Sequence, residues 1–258
     1  MPTQYPPKKI ALALSGGGVR AVAHLGVAEV LQKEGYEIGA VAGSSGGALA
    51  GVLLCDGRTP REVLEIYREL RRIDLVRYFR QGGVFALNGI ERLLSHHLSV
   101  SDIEALQTPC IIAATDLTAG TIRYFDRGPA AKLAAASSSL IPFFAPVLYE
   151  GMRLGDGGFM DNMPVRALKD LGLPILGINV NAILPQEPKN VMQTTYRALI
   201  LMMAANVEAS RQFADAYLEV QGCAAMNIFD TPKLDEAFDA GRREAEAALE
   251  AGLLRFEQ

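Results

Sequence analysis

Residues 9–20, Lys9-Ile-Ala-Leu-Ala-Leu14 running into Ser15-Gly-Gly-Gly-Val-Arg20 (KIALALSGGGVR), decide the architecture. Five apolar residues in succession after Lys9, with no polar alternation, describe a strand covered on both faces, the setting of a parallel sheet. Three glycines then turn the chain tightly. Ala21 to Gly35 follows with Val22, Leu25, Val30 and Leu31 near helical spacing and Gly35 as the stop. The pattern repeats at once. Ile38 to Ala42 (IGAVA) is a second buried strand, closed by Gly43-Ser44-Ser45-Gly46-Gly47, and Ala48 to Cys55 continues as a helix of small residues.

Outward from this pair of units the alternation persists, as in an α/β domain with a mostly parallel sheet. Pro60 at a first helical position opens REVLEIYRELRR. Gly82 and Gly83 break the chain before a helix over Ile90 to Leu98. Pro109 to Thr115 is a third strand, turned by Ala119-Gly120 into Thr121 to Phe125 as a hairpin. Ala130 to Ser139 reads as a helix stopped by Pro142. Pro146 to Tyr149 and Met152 to Leu154 pair around Glu150-Gly151 and lead into Gly155-Asp156-Gly157-Gly158. A helix over Pro164 to Leu171, a strand over Ile175 to Val180, a long helix from Met192 to Tyr217 and a charged helix from Leu234 to Gly252 complete the chain. No linker, repeat or low-complexity tract interrupts it, so the reading is one domain over residues 1–258.

The chain of 258 residues has 50% hydrophobic and 21% charged residues and a net charge of −4, with no basic stripe. These values suit a globular protein and argue against nucleic acid as a partner. They leave open a transient contact with a membrane surface, since apolar contact supplies affinity without charge. Cys55, Cys110 and Cys223 are too few and too scattered for a disulfide framework. MPTQYPPKK has no apolar export segment, and Ala198 to Val207 is about half the length of a membrane span. A cytoplasmic location is the expectation.

The chemistry lies in three turns. At the head of a helix, the N–H groups of Gly16-Gly17-Gly18 favour negative charge, so the turn suits a phosphate or an oxyanion. Gly16-x-Gly18-x-x-Ala21 also matches a dinucleotide fingerprint, which requires an acidic residue at the far end of the second strand. Glu37 precedes that strand, at the wrong end, and a Walker A sequence is absent. Gly43-x-Ser45-x-Gly47 at a strand-to-helix turn has the form of a nucleophile elbow, with Ser45 as nucleophile. Ser44, at the x position, packs or donates to backbone.

A serine hydroxyl needs a base. The histidines are His24, His96 and His97, and none follows residue 97, where a Ser–acid–His order would place one. A squeezed Ser45–Asp74–His97 set is formally available. His24 reads as a structural helix residue, and His96 and His97 as solvated. Asp156, in a turn whose glycines leave its side chain uncovered, is the best base. At its ordinary pKa of about 3.9 it is weak, so apolar walls must raise it.

Taken together, SGGGVR (15–20), GSSGG (43–47) and DGGFMDNMPV (156–165) resemble the bacterial patatin-like phospholipases, relatives of plant patatin and of the neuropathy target esterase catalytic domain. The resemblance extends to Ala135-Ala136-Ser137-Ser138-Ser139-Leu140-Ile141-Pro142, to Phe144-x-Pro146 and to the C-terminal helices. It implies a three-layer α/β/α sandwich with a mostly parallel central sheet and a Ser45–Asp156 dyad of nucleophile and general base. It also implies an oxyanion hole from the Gly16, Gly17 and Gly18 backbone with Arg20 nearby, and neither metal nor cofactor. Ala21 departs from the pattern, since many members carry glycine there. The expected substrate is a glycerophospholipid or lysophospholipid ester, with a simple carboxylic ester second; a lipid-binding regulatory protein would need a broken dyad. Leu199, Ile200, Met202 and Met203 offer either core packing or substrate contact, and Gly82 to Leu87 is a candidate rim of the pocket.

Overall fold

Alternation along β1 (Lys8–Leu14) divides the molecule into layers: Ile10, Leu12 and Leu14 enter one apolar cluster while Ala11 and Ala13 enter another on the opposite face. The computed structural model describes residues 8–70, 86–254 and 256. After a 3-10 turn at Gly18–Ala21 come α1 (Val22–Lys33), β2 (Tyr36–Ser44), α2 (Gly46–Cys55), α3 (Pro60–Leu70) and α4 (Ala86–His97). Next are β3 (Cys110–Asp116), β4 (Thr121–Phe125), α5 (Ala130–Ser137), β5 (Val147–Tyr149) and β6 (Met152–Asp156). The chain ends with β7 (Ile175–Asn179), α6 (Val191–Arg211), β8 (Ala216–Glu219) and α7 (Leu234–Glu250). Asp74 and residues 82–85 of the expected rim lie outside the described residues.

The sheet runs β5-β6-β3-β2-β1-β7-β8, with β4 also on β3. Its centre is parallel (β3, β2, β1, β7, β8), and the β4, β5 and β6 pairings are antiparallel. Helices cover both faces, the expected three layers. Leucine, isoleucine and valine fill the thick side, where α1, α2, α3, α4, α5 and α7 pack. On the other side the strands present alanines, and this lets Met163, Val165, Leu168 and Val207 of a thin layer approach. Thr59 and Glu62 form a reciprocal cap before Pro60, with Glu62 Oε2 accepting from Thr59 N–H at 2.7 Å.

Two readings change. The long helix ends at Arg211, and Tyr217 belongs to β8, a parallel edge strand that the helix reading overran. Four half-covered residues, Ala-Tyr-Leu-Glu, carry little periodic signal; their partner strand β7 places them. Val165–Leu171 is a 3-10 run, because seven residues between Pro164 and a left-handed Gly172 are too few for a settled α-helix.

The register of β3 positions the chemistry. Its residues 112–116 pair with β4 on one edge, so its other edge carries both β2 and β6. On that edge Ser44 stands opposite Ala113 and Asp156 opposite Ala114. The elbow after β2 and the turn after β6 therefore meet one residue apart.

Candidate active site

Ser45 sits between β2 and α2 with φ 51° and ψ −126°. A residue with a Cβ pays about 1–3 kcal/mol to occupy such a region, so its surroundings must hold it. Ser137 does so: its Oγ accepts the Ser45 N–H at 2.8 Å and donates to Ala113 O at 2.6 Å. The two legs of the elbow approach so closely that a Cβ on Gly43 would lie 2.4 Å from Gly47 O. Only glycine fits. Ser44 is fully buried against Gly157, and among the described residues its hydroxyl has no hydrogen-bond partner; it packs but donates to nothing.

Asp156 faces the elbow from the end of β6. Its N–H donates to Ser139 O at 2.9 Å, and its carbonyl accepts from Thr115 Oγ1 at 2.8 Å. Those bonds fix the backbone and aim the carboxylate. Oδ1 accepts from Gly158 N–H and Oδ2 from the Ser45 hydroxyl, both at 2.8 Å. Burial is nearly complete, and loss of solvation pushes the Asp156 pKa up to about 7, partly offset by the Gly158 and Ser45 hydrogen bonds. The carboxylate expected to need apolar walls has them.

The glycine turn divides its three N–H groups. Gly16 N–H donates to Asn162 O at 3.0 Å and to Asn162 Oδ1 at 3.2 Å, and is thereby occupied. Gly16 borders the cavity by Ser45 and Asp156, but its N–H is held by Asn162. Gly17 and Gly18 N–H have no protein acceptor among the described residues, and both glycines border a cavity shared with Ser45 and Asp156. Gly18 has φ 56°, and a Cβ there would lie 2.3 Å from Ile228 O, the carbonyl that accepts Val19 N–H at 2.8 Å.

Arg20 also differs from expectation. It borders neither cavity at Ser45. Its guanidinium is buried, donating to Met226 O through Nε at 2.8 Å and again through Nη2, and to Asn181 Oδ1 at 3.4 Å. Burial lowers its pKa. Since Asn181 Nδ2 donates to Gly16 O, Arg20 buttresses the turn from behind.

The histidines stand apart. His24 is fully buried on α1, and its Nε2–H donates to Ser15 O at 2.8 Å; desolvation holds its pKa down at about 4. His96 is exposed, whereas His97, expected to be solvated, contacts Glu69 at 3.1 Å. Glu37 lies at the opposite end of β2, paired with Lys9 at 2.8 Å. Cys55, Cys110 and Cys223 are free and buried.

Among the described residues, two cavities meet at Ser45. One, of about 100 Å³, runs between Leu49, Tyr67, Ile90, Phe144 and Phe229 and is mainly apolar. The other, of about 30 Å³, reaches Asp156, Asn162, Ile200 and Met203. Ile200 and Met203 therefore touch the site, while Met202 is exposed. The supporting residues Ser137, Thr115, Asn162 and Asn181 are invisible to motif reading, since each acts through a partner distant in sequence. Ser137 and Asn162 do at least fall inside stretches that carry the family resemblance.

The Patatin-like phospholipase family model matches residues 12–169, which include the glycine turn, the elbow and Asp156. An uncharacterized NTE family protein of Mycobacterium tuberculosis is 33% identical over 177 residues, covering 67% of this chain and 47% of that protein. A protein named Lysophospholipase NTE1 from Debaryomyces hansenii is 29% identical over 200 residues, covering 72% of this chain and 13% of its own length. The chain thus spans about half the length of the mycobacterial relative, and far less of the yeast one. The crystal structure of VipD from Legionella pneumophila shares the fold with a TM-score of 0.54 at 15% identity, over 96% of this chain and 67% of that one. Glycine turn, elbow and aspartate turn fall in one matched span, and the chain belongs to the patatin-like phospholipase family.

Proposed function

We propose that this chain is a serine acyl hydrolase that cleaves a carboxylic ester of a lipid, of phospholipid or lysophospholipid type, through Ser45 and Asp156. The observation that carries the reading is the 2.8 Å hydrogen bond from Ser45 Oγ to a buried carboxylate, beside two N–H groups with no protein acceptor. Ser45 attacks the ester carbonyl while Asp156 accepts its proton. A base with a pKa of about 7 is matched to that transfer at neutral pH. Gly17 and Gly18 N–H stabilise the developing oxyanion, each such donor contributing about 100- to 1000-fold in rate. The leaving alcohol takes the proton from Asp156, which then deprotonates the water that hydrolyses the acyl-enzyme. The name of the yeast relative supports the lipid class. Reaction inside the cytoplasm, in a single domain, remains part of the proposal.

The small apolar cavity favours a second reading, a short-chain carboxylesterase. Its volume of about 100 Å³ is below the roughly 150 Å³ of a protein cavity that holds benzene. A chain-length series of soluble esters separates the two: a fall in kcat/KM beyond a few acyl carbons selects the short-chain reading. Fluorophosphonate labelling tests the shared chemistry. Ser45→Ala should abolish labelling, and Asp156→Asn should lower kcat by about 10⁴-fold or more. Equal labelling of Ser45→Ala would remove the nucleophile.

A further inference from the structure

Proton traffic through Asp156 divides the two cavities at Ser45 between the halves of an ester. Asp156 borders the smaller cavity and not the larger. The proton it takes from Ser45 Oγ passes to the oxygen of the leaving alcohol as the acyl C–O bond breaks and the Ser45 ester forms. Water then enters by the same carboxylate. It adds its oxygen to the acyl carbon and gives a proton to Asp156, which returns it to the departing Ser45 Oγ. Alcohol and water therefore both belong to the cavity at Asp156, and the acyl chain to the apolar one.

Among the described residues, Ile200, Met203 and Ala204 of α6 form one wall of that smaller cavity, and their spacing puts them on one face of the helix. Met203 reaches the carboxylate. A Cβ on Gly158 would lie 2.8 Å from Met203 Cε and 3.0 Å from Asp156 Oδ1, so the methyl and the carboxylate converge on one point. The Met203 side chain is buried, and α6 is tied to the aspartate turn just beyond it. Asn206 donates to Gly158 O and accepts from Asn162 N–H, both at 2.8 Å, which fixes where the thioether lies. The space left is about 30 Å³, enough for about two waters. It suits the hydrolytic water, or an alcohol carbon that bears a single chain. A carbon bearing two chains meets Met203.

We infer that Met203 is a specificity-determining residue that admits esters of primary alcohols and impedes those of secondary alcohols. The branch of a secondary alcohol, on the carbon next to the leaving oxygen, falls against the thioether. In a glycerolipid this selects an ester at a terminal hydroxyl over one at the central hydroxyl. The selection rests on the Ser45–Asp156 reaction proposed above. A contact of this kind discriminates by about 10- to 200-fold per methylene.

The experiment compares 1-butyl butyrate with 2-butyl butyrate, isomers that form the same acyl-enzyme, so that differences in kcat/KM report the step in which the alcohol departs. Their intrinsic difference in reactivity is common to every variant, and only the change in the primary-to-secondary ratio is read. Fluorophosphonate labelling of Ser45, whose leaving group is a fluoride, reports that each variant folds. The ratio should fall about tenfold or more in Met203→Ala, and in the same direction in the milder Met203→Val, whereas Met203→Leu should hold it within about twofold. Ile90→Ala, in the apolar cavity, should leave the ratio unchanged and shift the preference between butyrate and hexanoate esters instead. An unmoved ratio in labelled Met203→Ala, or a shift there in acyl-length preference alone, would overturn the assignment of Met203. Labelling of the unaltered protein without hydrolysis of 1-butyl butyrate would overturn the preference for primary alcohols and leave the nucleophile standing. Equal hydrolysis by Ser45→Ala would overturn the hydrolase reading and the preference with it.

Discussion

Asp156 holds a carboxylate where water cannot reach it, and two measurable consequences follow at the scale of this residue. Only the ionised form accepts the Ser45 proton, so kcat/KM for a short ester should rise with pH through an apparent pKa near 7. A profile flat from pH 5 to 9 would count against Asp156 as base. The same burial opposes folding. Its folded pKa, about 7, lies above the ordinary 3.8, so the native state binds the proton more tightly and stability declines as pH rises between those values. The gap corresponds to about 4 kcal/mol at pH 8. Asp156→Asn should therefore be inactive yet raise the urea midpoint at pH 8, by an amount that shrinks toward pH 4. Ser44 offers a contrast one residue from the nucleophile. Its buried hydroxyl has no partner among the described residues, so Ser44→Ala should keep full activity and stabilise by up to about 1 kcal/mol in thermal unfolding.

Among the elements, α5 governs the geometry of the proposed nucleophile, Ser45. Ser137 ends it and bridges Ser45 N–H to Ala113 O, so its hydroxyl bears on the strained elbow from a helix 92 residues away. Ser137→Ala should leave the Ser45 N–H and Ala113 O unsatisfied, costing about 1–3 kcal/mol in stability and lowering kcat with little change in KM. An unchanged kcat would show that the elbow holds itself. On the thick side, Glu29 of α1 gathers Lys33, Arg61 of α3 and Arg242 of α7 around one carboxylate. Lys33 and Arg61 are largely exposed and Arg242 partly so, so Glu29→Gln should cost only about 1 kcal/mol, and less in 1 M salt. Element reading from sequence succeeded where burial leaves a strong pattern, as in β1, β2 and α1. It failed at β8, whose four residues owe their conformation to β7, and at 165–171, where chain length overrides a helical pattern. The two turns that bring Ser45 and Asp156 together were legible because glycines frame them. The hydrogen-bond partners of Arg20 and Gly16 were not, because Met226, Asn181 and Asn162 lie far along the chain.

For the whole molecule, two buried groups pull pH-dependent stability in opposite directions. His24 is held neutral with a folded pKa of about 4, below its ordinary 6.5, so the stability it contributes is present above 6.5 and is lost as pH falls toward 4. Asp156 gains across nearly the same interval. The two contributions are about 3 and 4 kcal/mol, close enough to offset one another. Asp156→Asn should unmask the histidine, making the urea midpoint fall more steeply from pH 7 to 4 than in the unaltered protein; an unchanged slope would show that Asp156 does not titrate in that range.

The β3 register has a further consequence. The hairpin turn at Leu117–Gly120 lies between the strand that receives both reactive loops and everything that follows it. Severing the backbone there would leave Ser45 and its docking strand in one fragment and Asp156 in the other. Neither piece could then act alone, and turnover would report their reassembly, making the dyad a sensor of its own fold.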